Sequence, residues 1–300
     1  MGGTSVGMPA VPAPLVLLGA ALGLVAGIPH GAADHVLAVR VAGGRSLAVV
    51  AAVYAGATAV VWALLEWAGL IALIAVVALS AVHFGLGELE FTRHHTGWRP
   101  PSLAAVSIAI AGSGALLLPL ARCGDQLGAV ADAVSPGLVL VVADSSVRIV
   151  LLSLWLLAAV VAVISSLRSD HPGVALDVAT IGALGLLVPP LAAFAVWFGG
   201  WHALRHCARM MTIEPGCAAL VSRGRLRSAV LRLARLAAPP SIAAVATLAA
   251  VVCLSVTAST PVALLAELVR MLLALTVPHM LVVLWVDRDA DRRAMLTARE

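Results

Sequence analysis

Apolar runs, each about as long as a bilayer-crossing helix, follow one another along almost the whole chain, with short polar interruptions between them. A hydrocarbon core about 30 Å thick takes about 20 consecutive apolar residues of helix. By that measure the pattern predicts spans at 14–39, 47–67, 68–89, 103–121, 147–167, 241–257 and 261–286. The apolar stretch 174–211 is too long for one helix and contains Pro189 and Pro190. Proline lacks an N–H and disfavours helix in the residue before it. The stretch therefore splits into 174–188 and 190–211, a tight helical hairpin. The expected fold is all-α: a polytopic integral membrane helical bundle of about nine transmembrane helices, or eight if the short 174–188 segment does not cross.

Composition agrees. Hydrophobic residues make up 62% of the 300 and charged residues 11%, against about 25% charged in soluble domains. The formal net charge of +4 comes entirely from arginine, since the chain has no lysine. Most of the arginines fall in loops between the apolar runs, which argues against a nucleic-acid-binding surface as their purpose. Cys123, Cys207, Cys217 and Cys253 form no CxxC pair and suggest no disulfide framework. Residues 1–39 carry no Lys or Arg, so the first run reads as a retained helix instead of a cleaved leader.

Charge then orients the spans, because cytoplasmic loops are arginine-rich. With nine spans and the N-terminus outside, Arg40, Arg45, Arg93, Arg99, Arg168 and the 205–235 arginines all fall inside. Asp125, Asp132 and Asp144 fall in an outside loop. This places one membrane-embedded domain over 1–300 in the cell membrane, with a basic cytoplasmic loop at 212–238 and a cytoplasmic tail at 287–300. The arginines at 223–235 suit anionic headgroups.

Five of the nine histidines lie in or at the ends of these apolar runs: His30, His83, His202, His206 and His279. An ionisable ring in hydrocarbon is costly and faces a bundle interior. In the nine-span arrangement all five fall within about two turns of the cytoplasmic boundary. Imidazole is the commonest transition-metal ligand, so convergence on one metal is the simplest account.

The strongest local signal is Trp201-His202-Ala203-Leu204-Arg205-His206. Residues four apart share a helical face, so both rings can hold one ion; the plain alternative is two wetted interfacial histidines. His30 and Asp34, in Gly27-Ile28-Pro29-His30-Gly31-Ala32-Ala33-Asp34-His35, are also four apart. A carboxylate there can accept the ring's second N–H and fix the tautomer, or it can simply end the helix. Gly19, Gly23, Gly27 and Gly31 form a stripe that lets helices approach closely or makes room for a flat, rigid ligand. His83 stands in His83-Phe84-Gly85, with Glu88 five residues on as a metal-supporting or solvated carboxylate. His279 follows Pro278 and is either a partner of a carbonyl freed by the kink or a member of the site's surroundings or substrate pocket. Trp197, Phe198 and Trp201 either contact a ligand or anchor the chain at the interface. His94, His95 and His171 read as solvated.

Four neutral nitrogen ligands suit Zn, Cu, Fe or Ni. An apolar site close to lipid suits a lipid-soluble substrate, and iron acting with O2 is a coherent reading that spacing alone does not establish.

Together, 27–35 (GIPHGAADH), 83–85 (HFG), 201–206 (WHALRH) and Pro278-His279 resemble the Brp/Blh family of bacterial and archaeal membrane β-carotene 15,15′-dioxygenases. The resemblance spans most of the chain, from His30 to His279. It implies central cleavage of β-carotene by non-haem Fe(II) and O2 into two molecules of retinal, which would serve a rhodopsin-type protein. By motif, the ligands fall on His30, His83, His202 and His206. Glu88 stands where the family often carries Asp.

Other classes fit less well. Membrane di-iron desaturases need about eight histidines in HxxxH and HxxHH boxes, and this chain has one HxxxH and no HxxHH. A metal- or proton-coupled transporter would step its histidines across the membrane and commonly carries an internal repeat. A b-type haem protein pairs histidines at both membrane faces.

Overall fold

In the computed structural model, residues 13–34, 38–39, 47–122, 125–255 and 260–297 are described. Every regular element among them is helical. In chain order these are α1 (Ala13–Ala32), α2 (Leu47–Thr96), α3 (Ser102–Gly112), α4 (Gly114–Ala121), α5 (Asp125–Val134), α6 (Leu138–Ala143), α7 (Ser145–Arg168) and α8 (Pro172–Leu187). There follow α9 (Pro190–Val196), a π-helical turn (Trp197–His202), α10 (Ala203–Ile213), α11 (Pro215–Val221), α12 (Leu226–Ser255) and α13 (Pro261–Thr297).

The all-α membrane character holds, but the count of nine spans does not. Among the described residues four helices are long and apolar enough to cross a bilayer: α2, α7, α12 and α13. The α3–α4 pair makes a fifth if taken as one span, although it bends by 53°. Hydropathy reads the length of an apolar run and is blind to where the backbone breaks. The run at 103–121 breaks at Ser113, whereas 190–211 stays helical throughout, with αR backbone at both junctions of the π-turn. The 174–188 run forms the 16-residue α8, about 24 Å long and short of the hydrocarbon core. The runs 47–67 and 68–89 both lie in the Leu47–Thr96 element, as two helices that meet at a kink where Gly69 takes φ 49° and ψ −120°. The positive φ is one that glycine adopts without a Cβ clash. The 212–238 stretch is largely helical, in α10, α11 and the start of α12.

Two packed halves result. In one, α3, α4, α7 and α8 close around Leu118, Trp155, Ala159, Ala162 and Val178. Gly114 and Gly182 leave the room that the Trp155 indole occupies. In the other, α1, α2, α9, the π-turn and α13 enclose Leu24, Leu73, Phe84, Trp197 and Ala274. At Gly23 and Gly27 the glycine stripe acts as packing. A Cβ on Gly23 would stand 2.7 Å from the Ala195 carbonyl oxygen, and one on Gly27 would enter the Phe198 ring.

Candidate metal centre

The π-turn is where the second half acquires its chemistry. Its wider winding closes i→i+5 bonds, seen where the Ala203 N–H donates to the Phe198 carbonyl. Such turns sit inside α-helices mostly at functional sites. Gly199 lets the turn lie against α1, since a Cβ there would strike the Gly23 carbonyl. The turn brings Trp197 and His202, five residues apart, into a stack with ring centroids 5.2 Å apart and planes 24° apart. The α-helix resumes at once, so His202 and His206 keep their four-residue spacing.

All five histidines expected in apolar segments come together, from α1, α2, the π-turn, α10 and α13. His30 has ring centroids 5.1 Å from His202, 5.5 Å from His206 and 4.9 Å from His279. His83 is 5.5 Å from His202 and 4.9 Å from His279. His206 is 5.1 Å from His279. Two groups have ligand atoms that all lie within 4.8 Å of one another: His30, His202 and His279, and Asp34, His206 and His279.

Hydrogen bonding sets which ring nitrogens are bare. The His30 Nδ1–H donates to the Gly27 carbonyl, three residues back on α1. The His279 Nδ1–H donates to Asp34 Oδ2 at 2.5 Å. Each leaves its Nε2 as a lone pair. Nε2 of His83, His202, His206 and His279 is buried without a hydrogen-bond partner. His206 Nε2 lies 3.4 Å from Asp34 Oδ1, an ion-pair distance that makes no hydrogen bond. A buried unpartnered polar atom costs about 1–3 kcal/mol and is uncommon in native proteins. Four of them among touching rings form a donor set suited to a transition metal.

The other expected residues fall into place around this cluster. Asp34 is 1% exposed and takes His279, not the His30 of its own helix, as its hydrogen-bond donor. His35 lies outside the described residues. Phe198 meets the His30 ring edge-on at 5.4 Å and Phe84 meets His202 at 4.9 Å, so aromatic rings back the imidazoles. Glu88 does not reach a histidine. It is 5% exposed, takes Arg205 Nη1 at 2.5 Å and the Trp201 indole N–H at 3.1 Å. His94 and His95 are exposed on the last turn of α2, and His171 stacks on Trp98.

Sequence reasoning missed one part of this frame. Arg205 also pairs with Asp177 of α8 at 2.9 Å, and its guanidinium lies 4.0 Å from the ring centres of Phe91 and Trp201. The pair of carboxylates and the arginine tie α2, α8 and α10 together beside His202. The signal was present: a lone Asp inside an apolar helix implies a partner.

A cavity of about 330 Å³ opens onto His83, His202 and His206 between α2, α10 and α13. Leu79, Val82, Leu86, Leu281 and Leu284 line it and are themselves 39–59% exposed. In a bilayer such side chains face lipid, so an apolar path joins the hydrocarbon to the rings.

A family model described as beta-carotene 15,15′-dioxygenase matches residues 21–287, which include every histidine of the cluster. A probable beta-carotene 15,15′-dioxygenase, Blh, from Halobacterium salinarum is 32% identical over 92% of this chain and 84% of its own length. No solved structure matches the chain.

Proposed function

Because the chain belongs to the β-carotene 15,15′-dioxygenase family, we propose that this metal-binding membrane oxygenase cleaves β-carotene at its central 15,15′ double bond with O2. Both atoms of O2 are used: the double bond breaks, each of its carbons gains one oxygen, and two molecules of all-trans-retinal leave.

The cofactor is Fe(II), held by His30, His83, His202 and His206, the positions that match the family's motif histidines. The bare, buried nitrogens of this cluster fit such an ion. Bound there, iron supplies the activation of O2 that a singlet polyene needs. The protein's own residues do the rest. Leu79, Val82, Leu86 and Leu281 seat the polyene where it arrives from the bilayer. The Gly27 carbonyl holds the His30 tautomer, and Trp197 and Phe84 fix the His202 plane. Burial keeps water from the reacting carbons. The enzyme resides in the cell membrane, with the basic 212–238 stretch and the 287–300 tail on the cytoplasmic side and the N-terminus outside, on the strength of the arginine distribution. Retinal, still lipid-soluble, passes to a rhodopsin-type protein.

The observation that carries this reading is the set of unpartnered imidazole nitrogens at the end of an apolar, lipid-facing cavity. A transporter would instead spread its ionisable groups along a path. Expression in a β-carotene-producing bacterium tests it: the colour should fade as retinal accumulates. Unchanged carotene in membranes that hold folded, iron-loaded protein contradicts it.

A further inference from the structure

The motif histidines leave His279 without a role, yet it occupies the middle of the cluster. Its ring lies 4.9 Å from His30, 4.9 Å from His83 and 5.1 Å from His206. It is common to both groups of closely spaced ligand atoms. It is 4% exposed, and its Nε2 has no hydrogen-bond partner. Its Nδ1–H is spent on Asp34 at 2.5 Å. A carboxylate that accepts the far N–H of an imidazole fixes its tautomer and raises the basicity of the other nitrogen, the usual support of a metal-bound histidine.

The alternative expected for a histidine after a helix proline is a bond to a carbonyl released by the kink. The described hydrogen bonds of His279 include no such carbonyl; its partner is the carboxylate of another helix, 245 residues away in sequence. A ring kept only for packing would not be held by a buried carboxylate with its second nitrogen left bare among four other imidazoles.

We propose that His279 is a fifth histidine ligand of the metal, through Nε2, and that Asp34 is its positioning residue. This rests on the reading of the cluster as a metal centre. It makes α13 a wall of the centre as well as of the substrate cavity, so metal loading and cavity shape share one helix. Asp34 then serves α13 from α1.

The test uses the full-length protein in detergent or nanodiscs, titrated anaerobically with Fe(II) against a chelator. X-ray absorption counts the imidazole scatterers on the bound ion. His279→Gly should weaken Fe(II) binding at least about 100-fold and lower the imidazole count by one. Added imidazole should restore both, which no packing role predicts. Asp34→Asn, which retains shape, should weaken binding about 10–100-fold. It keeps the proposal open to refutation if the glycine variant does not fold. Wild-type affinity and imidazole count in a folded His279→Gly protein, or in Asp34→Asn if only that variant folds, would overturn the inference. If His202→Ala still abolishes binding in that case, the metal centre itself stands. A wild-type protein that takes up no Fe(II) overturns the metal centre and this inference together.

Discussion

Trp155 and Trp197 are both buried indoles, 7% and 0% exposed, one in each half of the bundle. Trp155 fills the space opposite Gly114 and Gly182, and its N–H donates to the Ala111 carbonyl at 3.0 Å. Trp197 packs as closely, against Phe84 and His202, yet its N–H has no partner. The same contrast runs through the two halves. Most of the orphaned buried side-chain atoms among the described residues lie on Asp34 and the histidines. Packing quality does not separate a structural half from a functional one; hydrogen-bond satisfaction does. Unmet polar groups are tolerated where something else is to meet them.

The comparison can be broken most sharply at the rings. His202→Ala should cut retinal formation and bound iron by at least about 100-fold, with the helical circular dichroism unchanged. Iron assay and chromatography of retinal read both losses, and retention of either removes His202 from the site. Next in size is Arg205→Leu, which leaves the Glu88 and Asp177 carboxylates facing each other's field with no cation. Breaking a buried pair costs about 3–5 kcal/mol, so unfolding in detergent should shift strongly. An unshifted transition would show that the network does not hold α2 to α10.

A smaller and more discriminating effect comes from the two indoles. Trp155→Phe shrinks a well-packed ring and strands the Ala111 carbonyl, for about 1–3 kcal/mol. Trp197→Phe shrinks a ring but also removes an unpartnered N–H, so it should cost less than about 1 kcal/mol. Equal losses in the two variants would show that satisfaction of the N–H is not what distinguishes the halves. The smallest effect lies outside both. Glu214 accepts the Cys217 N–H at 2.6 Å and a two-pronged bond from Arg232 at 2.9 and 3.0 Å. The Arg232 guanidinium, helped by that N–H, holds its carboxyl down to about 2. A depressed carboxyl contributes stability that is present above its unfolded value and is lost as pH falls toward 2. Glu214→Gln should therefore be mildly less stable at neutral pH and should flatten the acid side of the stability profile. An unchanged acid limb contradicts it.

Much of the centre was legible in the chain. Histidines in apolar runs, and the four-residue spacing of His202 and His206, mark it without any structure. What periodicity cannot show is which distant residues meet. Asp34 was expected to serve His30 because they share a helix face, but α1 and α13 bring it to His279 instead. Glu88 looked interfacial by its place near the end of a run, yet α8 and α10 close over it with Asp177 and Arg205. The span count failed for a different reason. Transfer free energy sums over an apolar run whatever the course of its backbone, so neither the π-turn nor the bend at Ser113 left a mark on hydropathy.

The central claim, oxygen-dependent cleavage of β-carotene at an iron held by these histidines, is tested most directly by one turnover measurement. Purified protein loaded with Fe(II) is given β-carotene without air, and O2 is then admitted. The account predicts no product before O2 and two retinal molecules per carotene consumed after it. Iron-loaded, folded protein that leaves the carotene intact, or that yields fragments of unequal length, would contradict it.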